Sequence, residues 1–198
     1  MGRTRLSHET RTKLLDEGVA MLNQQGYHGT GIKEVLDRVH VPKGSFYNYF
    51  ESKEHFGAEV IRHYTDRFVD QLTRDLADAK TRADAFGALK RCFKQMICCF
   101  ENDACGCLVG NLGAELGASS DLCRRALAES LDRIQERLAA AIVRAQEQGA
   151  VRTDLSAEEL AEILWNGWEG ALIRMKIENS LAPLQRFQEL VLDKILKA

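Results

Sequence analysis

Four of the six cysteines fall within residues 98–107, as Cys98, Cys99, Cys105 and Cys107, with Cys92 before them and Cys123 after. Thiolates bind Zn or Cu(I), or react with electrophiles, so the spacing decides what such a cluster does. No pair shows the C-x2-C spacing, adjacent cysteines on a helix rarely aim at one ion, and no histidine lies within the cluster, so no metal site is expected. His8, His28, His40, His55 and His63 all lie in the first third of the chain, which offers no local Cys–His nucleophile. The glycines of 106–117 lack dinucleotide or P-loop spacing. No cofactor and no catalytic activity are therefore expected. Cys107 stands apart, because it follows Gly106 where Leu108, Leu112 and Leu116 announce a helix. A sulfur at a helix N-terminus gains thiolate character and reactivity, although a free cysteine is also an ordinary small core residue.

A second set of chemistry-bearing residues runs from Lys43 to Phe50. Phe46 and Phe50 lie four apart on one face, while Lys43, Ser45, Tyr47, Asn48 and Tyr49 spread hydrogen-bonding groups over the rest. Gly44 permits close approach of a backbone, and Lys53 adds a cation just beyond. An aromatic-rich short helix is more often part of a core, and periodicity alone leaves that reading open.

The elements that position these residues are helical. Apolar residues recur at i, i+3, i+4 almost throughout, and the period-2 alternation of strands is nearly absent, so an all-α fold of about nine helices is predicted. Leu15, Gly18, Val19 and Leu22 make one face of a first helix ending near Gly26. Ile32, Val35, Leu36 and Val39 mark a second, and after the turn Val39-His40-Val41-Pro42 a third runs from about Lys43 to Tyr49. Ser52 caps a long amphipathic helix with Phe56, Val60, Tyr64 and Phe68, reaching about Lys80. Thr81 with Asp84, and Ser156 with Glu159, read as capping boxes for helices through Phe100 and about Lys176. Between those two, Leu127, Leu131, Ile134, Leu138 and Ile142 form a stripe closed by Gly149. Pro183 opens a last helix carrying Leu184, Phe187, Val191 and Ile195.

The net charge of -2 neither indicates nor excludes nucleic acid, so any DNA contact must be local. No apolar run is long enough to span a bilayer, and the polar first ten residues, with Arg3 and Arg5, predict no export signal. A cytoplasmic protein with reduced thiols is expected, since a chain of this size does not need disulfide staples.

Two short helices joined by a tight turn form the element that lays its second helix in the major groove. The string Thr30-Gly31-Ile32-Lys33-Glu34-Val35, then Val41 through Phe50, then Ser52-Lys53-Glu54, resembles the DNA-binding domain of the TetR family of repressors over about 50 residues. That resemblance implies an N-terminal three-helix DNA-binding domain at 1–52 and a helical ligand-sensing and dimerisation domain at 53–198. It places Gly44, Tyr47 and Asn48 at base-facing positions, Lys43 at the helix start, and Thr30, Ser45, Tyr49 and Lys53 at phosphate contacts. Arg3 and Arg5 would form a minor-groove arm or a solvated terminus. The family's turn usually has Gly where this chain has His40, so a left-handed backbone is expected there. The last two helices, about 157–178 and 184–197, would build a homodimer that reads a palindromic operator.

The second half would then hold a pocket for a small-molecule inducer, for which Met96, Phe100, Trp165, Trp168 and Leu172 are weak candidates and are ordinary core otherwise. Gly106-Cys107-Leu108, continued by Leu112, Ala114 and Glu115, with Lys176-Ile177, Ser180-Leu181 and Pro183-Leu184, is similar to the N-ethylmaleimide-responsive, electrophile-sensing subgroup of the family. That similarity implies sensing of electrophiles or oxidants at Cys107, with Lys176 beside it. A reversible, non-covalent inducer is the alternative, and a helical interaction protein without DNA binding a further one.

Overall fold

The computed structural model describes residues 2–77, 83–101 and 105–198, and the side chains among them except at 2–7 and 77. These residues are helical throughout, with no strand among them beyond one isolated bridge between Val151 and Lys197. The elements are α1 (Gly2–Gly29), α2 (Ile32–Arg38), a 3-10 segment (Lys43–Asn48), α3 (Lys53–Ala77), α4 (Ala85–Cys99), α5 (Leu108–Leu116), α6 (Asp121–Glu147), α7 (Ala157–Glu178) and α8 (Ala182–Phe187), which continues in π geometry over Gln188–Ile195. None of these helices is long and apolar enough to cross a membrane. The side chains of Arg3 and Arg5 lie outside the description, as do Lys80 and Thr81; the start of α4 is capped by Asp84, which accepts from the Gly87 N–H at 2.8 Å.

Two compact units emerge, Met1–Asp66 with Cys107–Leu131, and Arg67–Gly106 with Asp132–Ala198. Compactness divides the chain within α3 and α6, because α5 and the start of α6 fold back onto the N-terminal helices.

In the first unit, α1 buries Leu14, Leu15, Met21 and Leu22, and α3, which comes close to it at Gly18, buries Phe56, Val60 and Ile61. Gly18 makes that approach possible, since a Cβ there would lie 2.6 Å from the Phe56 ring and 2.7 Å from Val60. Leu108, Leu112 and Leu116 of α5 are buried as the spacing predicts. In the second unit Trp165, Trp168 and Leu172 sit in the core with Phe93, Leu164 and Leu184. Trp168 meets Phe93 edge-on at 5.1 Å and Phe187 at 5.6 Å, the offset geometry aromatic quadrupoles favour.

Several predicted punctuation marks have the expected chemistry. Ser156 and Glu159 form a reciprocal capping box, Ser52 accepts from the His55 N–H at 3.0 Å, and Gly149 closes α6 with φ 68. Three expectations need correction. The break at Gly26 (φ 72) is a kink, after which helix resumes to Gly29. Leu131, placed in the buried stripe of α6, is 36% exposed. At the C-terminus the i, i+4 pattern Phe187-Val191-Ile195 loses its register, because the π geometry bonds the Leu196 N–H to the Val191 carbonyl at 2.9 Å. A π turn closes its hydrogen bond one residue later than an α turn does, so Leu192 and Leu196 are buried and Ile195 is 40% exposed.

Candidate nucleic-acid interface and sensor cysteine

Two backbone hydrogen bonds close the turn between α2 and the 3-10 segment. His40 has φ 56, its N–H donates to the Asp37 carbonyl at 3.2 Å, and the Val41 N–H donates to the Leu36 carbonyl at 2.9 Å. This 6→1, 5→2 pair is a Schellman motif. The left-handed backbone expected at His40 is therefore present and carried by a residue with a Cβ. His40→Gly is expected to raise stability by less than about 1 kcal/mol, relief of left-handed strain being offset by the greater entropy of glycine in the unfolded chain; a urea melt measures it.

Pro42, with φ -59, leads into Lys43–Asn48, which is a 3-10 helix where an α-helix to Tyr49 was expected. Phe46 and Phe50 are 0% and 1% exposed, and both pack on Phe56, with ring centroids 5.7 and 4.9 Å away. The core reading is right for these two rings only. Tyr47 is 70% exposed, and Lys43, Gly44 and Asn48 are exposed with it, while Ser45 and Tyr49 are half-buried. A Cβ on Gly44 would meet nothing within 4 Å, so no packing within the chain requires glycine there. The remaining two candidates sit differently. Thr30 is 2% exposed and its hydroxyl donates to the Gly26 carbonyl at 2.7 Å, which turns that group inward. Lys53 is half-buried with Nζ 4.5 Å from the Tyr27 ring centroid, and burial pushes its pKa down against the opposing pull of Glu115.

Cys107 is the N-cap of α5 with φ -86 and ψ 128, the place its neighbours in sequence predict. It is 6% exposed, and the Tyr64 hydroxyl lies 3.9 Å from its sulfur, able to donate to it. Cys107 belongs to the first unit and the exposed Lys176 to the second. Four of the other five thiols divide sharply, with Cys105 half-buried between them. Burial pushes Cys92 up to about 12, with Asp75 adding to the shift, and burial raises Cys123 as well, whereas Cys98 and Cys99 are exposed at the end of α4. Brief iodoacetamide treatment of folded protein at pH 8 is expected to label Cys98 and Cys99 and spare Cys92 and Cys123, which label only in denaturant; peptide mass mapping reads this. Among the described residues no group of three His, Cys, Asp or Glu side chains is placed to hold a metal ion.

Of the weak pocket candidates, Trp165, Trp168 and Leu172 are each 2% exposed, and Met96 and Phe100 are half-buried. Phe100 reaches Trp168 at 6.2 Å, and Phe68 reaches Trp165 at 5.7 Å. The Trp165 indole N–H is buried with no hydrogen-bond acceptor among the described residues, a costly state for a donor. Sequence reasoning also passed over the role of Glu115, whose carboxylate accepts from the Tyr27 and His28 N–H groups at 2.8 and 2.7 Å. Nothing local in the sequence signals a contact between residues so far apart along the chain.

Comparison with known proteins agrees with this arrangement. Residues 14–60 match the family described as bacterial regulatory proteins, tetR family, and residues 85–191 match the tetracyclin repressor-like C-terminal domain. The HTH-type transcriptional repressor DhaR of Mycobacterium sp. (strain GP1) is 34% identical over 94% of this chain and 92% of its own. The transcriptional regulator AcuR of Cereibacter sphaeroides is 36% identical over 92% of this chain and 82% of its own. The HTH-type transcriptional repressor NemR of Escherichia coli (strain K12) is 30% identical over 90% of this chain and 89% of its own. The crystal structure of E. coli NemR in its reduced form superposes with a TM-score of 0.88, at 29% identity over 96% of this chain and 98% of that one. With a helix-turn-helix at one end, a matched C-terminal domain and relatives alike over nearly the whole length, the chain belongs to the TetR family of bacterial transcriptional regulators.

Proposed function

We propose that this regulator is a cytoplasmic repressor that binds a palindromic operator as a homodimer and lets go when an electrophile or oxidant reacts at Cys107. The observation that carries the DNA-binding part is the reading segment itself: two buried phenylalanines hold it down, and Lys43, Gly44, Tyr47 and Asn48 face outward behind a Schellman turn. Ser45, Tyr49 and Lys53 supply phosphate contacts at its edge, Lys53 by leaving the face of Tyr27. Thr30, whose hydroxyl donates to the Gly26 carbonyl, reaches a phosphate only by giving up that bond.

A dimer through the last two helices accounts for a set of exposed apolar side chains there, namely Ile163, Ile173, Ile177, Leu190 and Ile195, with Ile177 77% exposed. Exposed apolar side chains gathered on one pair of helices mark an interaction surface. Two-fold symmetry then presents two reading segments to half-sites about one helical turn, ~34 Å, apart.

At the sensor, the Cys107 sulfur adds to the β-carbon of an enone or quinone. A C–S bond forms, the electron pair moves to the carbonyl oxygen, and solvent supplies a proton. The sulfur stands at the N-cap of α5 with the Tyr64 hydroxyl able to donate to it, a setting suited to a reacting cysteine. An added group does not fit around a residue that is 6% exposed, so modification favours a conformation other than this one. A reversible ligand is the second reading, supported by the Trp165 N–H that lacks an acceptor. The experiment is a gel shift with DNA upstream of the protein's own gene, at graded salt, with and without a quinone. A salt-sensitive, sequence-specific shift establishes the operator, and its loss with the quinone establishes the inducer class.

A further inference from the structure

The first unit contains a polar seam between α5 and α1 that the functional reading above leaves unused. Asn111 donates through Nδ2 to the Asn23 side-chain oxygen at 2.8 Å. One turn further along α5, Glu115 accepts from the Tyr27 N–H at 2.8 Å and the His28 N–H at 2.7 Å, one carboxylate oxygen to each. One turn before Asn111 stands Cys107, whose carbonyl accepts from the Asn111 N–H at 2.9 Å. Residues 107, 111 and 115 therefore share one face of a short, stiff helix, with Cys107 and Glu115 about 12 Å apart along its axis.

Glu115 grips α1 at its break. Gly26 has φ 72 and ψ 175, and a Cβ there would lie 2.8 Å from a Glu115 carboxylate oxygen, so the glycine serves both the backbone turn and the carboxylate's approach. Beyond the break, the Thr30 hydroxyl donates back to the Gly26 carbonyl at 2.7 Å. The Gly31 carbonyl then accepts from the Glu34 and Val35 N–H groups at 3.0 and 3.2 Å to start α2. Tyr27 packs its ring against Gly57 of α3, where a Cβ would lie 3.0 Å away, and carries Lys53 over its face. The direction in which α2 and the reading segment leave α1 is set within these few residues. Bonds from peptide N–H groups to an ionised carboxylate belong to the strong class of hydrogen bond.

We infer that Glu115 is a positioning residue for operator binding: by holding the Tyr27 and His28 N–H groups at the Gly26 break it fixes how α2 and residues 43–50 stand on α1, two helical turns from Cys107. A shift of α5 at its cysteine end reaches the DNA-reading segment through this clamp. The inference deepens the operator-binding reading and rests on it for its DNA readout, while its structural content stands on geometry within one unit.

The test compares wild type, Glu115→Ala and Glu115→Gln in the full chain. Glutamine keeps one acceptor oxygen and turns the other bond into a clash of donors, so it keeps the test decisive should the alanine variant misfold. Hydrogen exchange read by mass spectrometry is expected to rise about tenfold or more over residues 26–50 in Glu115→Ala, and by less in Glu115→Gln, with residues 56–65 of α3 unchanged. A general loosening of the first unit would raise both segments together and overturn the positioning role in favour of a merely structural one. Operator affinity is expected to fall about tenfold or more in Glu115→Ala, with the glutamine variant between. Wild-type affinity in both variants, with wild type binding specifically, overturns the inference and leaves the operator reading standing. If wild type binds no operator, that reading fails, and the exchange at 26–50 still decides for or against the clamp.

Discussion

Tyr47→Ala is expected to weaken operator binding about thirtyfold or more and to leave stability within about 0.5 kcal/mol of wild type, because a surface side chain away from caps and networks contributes little to the fold. Its ring is 70% exposed and meets Phe46 only edge-on at 5.4 Å. A good base-edge contact is worth about 1–3 kcal/mol, and the two-fold dimer loses it at both half-sites, about 2–6 kcal/mol in all, or roughly 30- to 10⁴-fold in affinity. Lys53→Ala makes an instructive partner. Its effect is electrostatic, so it weakens specific and non-specific DNA alike and lowers the slope of log affinity against log salt by about two per dimer. A salt titration by fluorescence anisotropy separates these signatures. Tight sequence-specific binding by both variants would remove residues 43–53 from the interface.

How much of this was legible beforehand depends on how far apart the interacting residues lie. Contacts one helical turn apart announce themselves: Ser156 with Glu159, Ser52 below His55, and Leu108, Leu112 and Leu116 behind Cys107 all follow from spacing, because the α-helix repeats every 3.6 residues. The left-handed His40 was legible for a different reason, since the family pattern has glycine there and few other residues tolerate that conformation. What could not be read depends on long-range packing or on a change of helical type. The Glu115 clamp joins α5 to α1 across most of the first unit's sequence, and the π geometry after Gln188 breaks the i, i+4 rule that would bury Ile195. The candidate pocket was the least legible part, because a tryptophan that lines a cavity and one that fills a core have the same pattern in sequence, and Trp165 and Trp168 are both 2% exposed.

Cys107→Ser is expected to bind operator with wild-type affinity and to ignore a quinone that releases wild type by about 5- to 150-fold, the range of ordinary allosteric coupling. Serine is close in size and is a favoured residue at a helix N-cap, the place residue 107 holds on α5. The native fold is therefore retained, and the difference lies in nucleophilicity. A Cys98→Ser/Cys99→Ser variant removes the two exposed thiols and is expected to respond as wild type does, which separates sensing from the alkylation of whatever is accessible. Intact mass after quinone treatment, with peptide mapping, ties release to one adduct per chain at Cys107. Release of Cys107→Ser by the same compound would overturn the covalent mechanism and move the inducer to the second unit. There Trp165→Phe gives the deciding comparison, because it removes little more than the indole N–H and its fused ring from a site already 2% exposed. A ligand that accepts from that N–H loses about 1–3 kcal/mol of binding in the variant, whereas an inducer that bonds to Cys107 acts on it as on wild type.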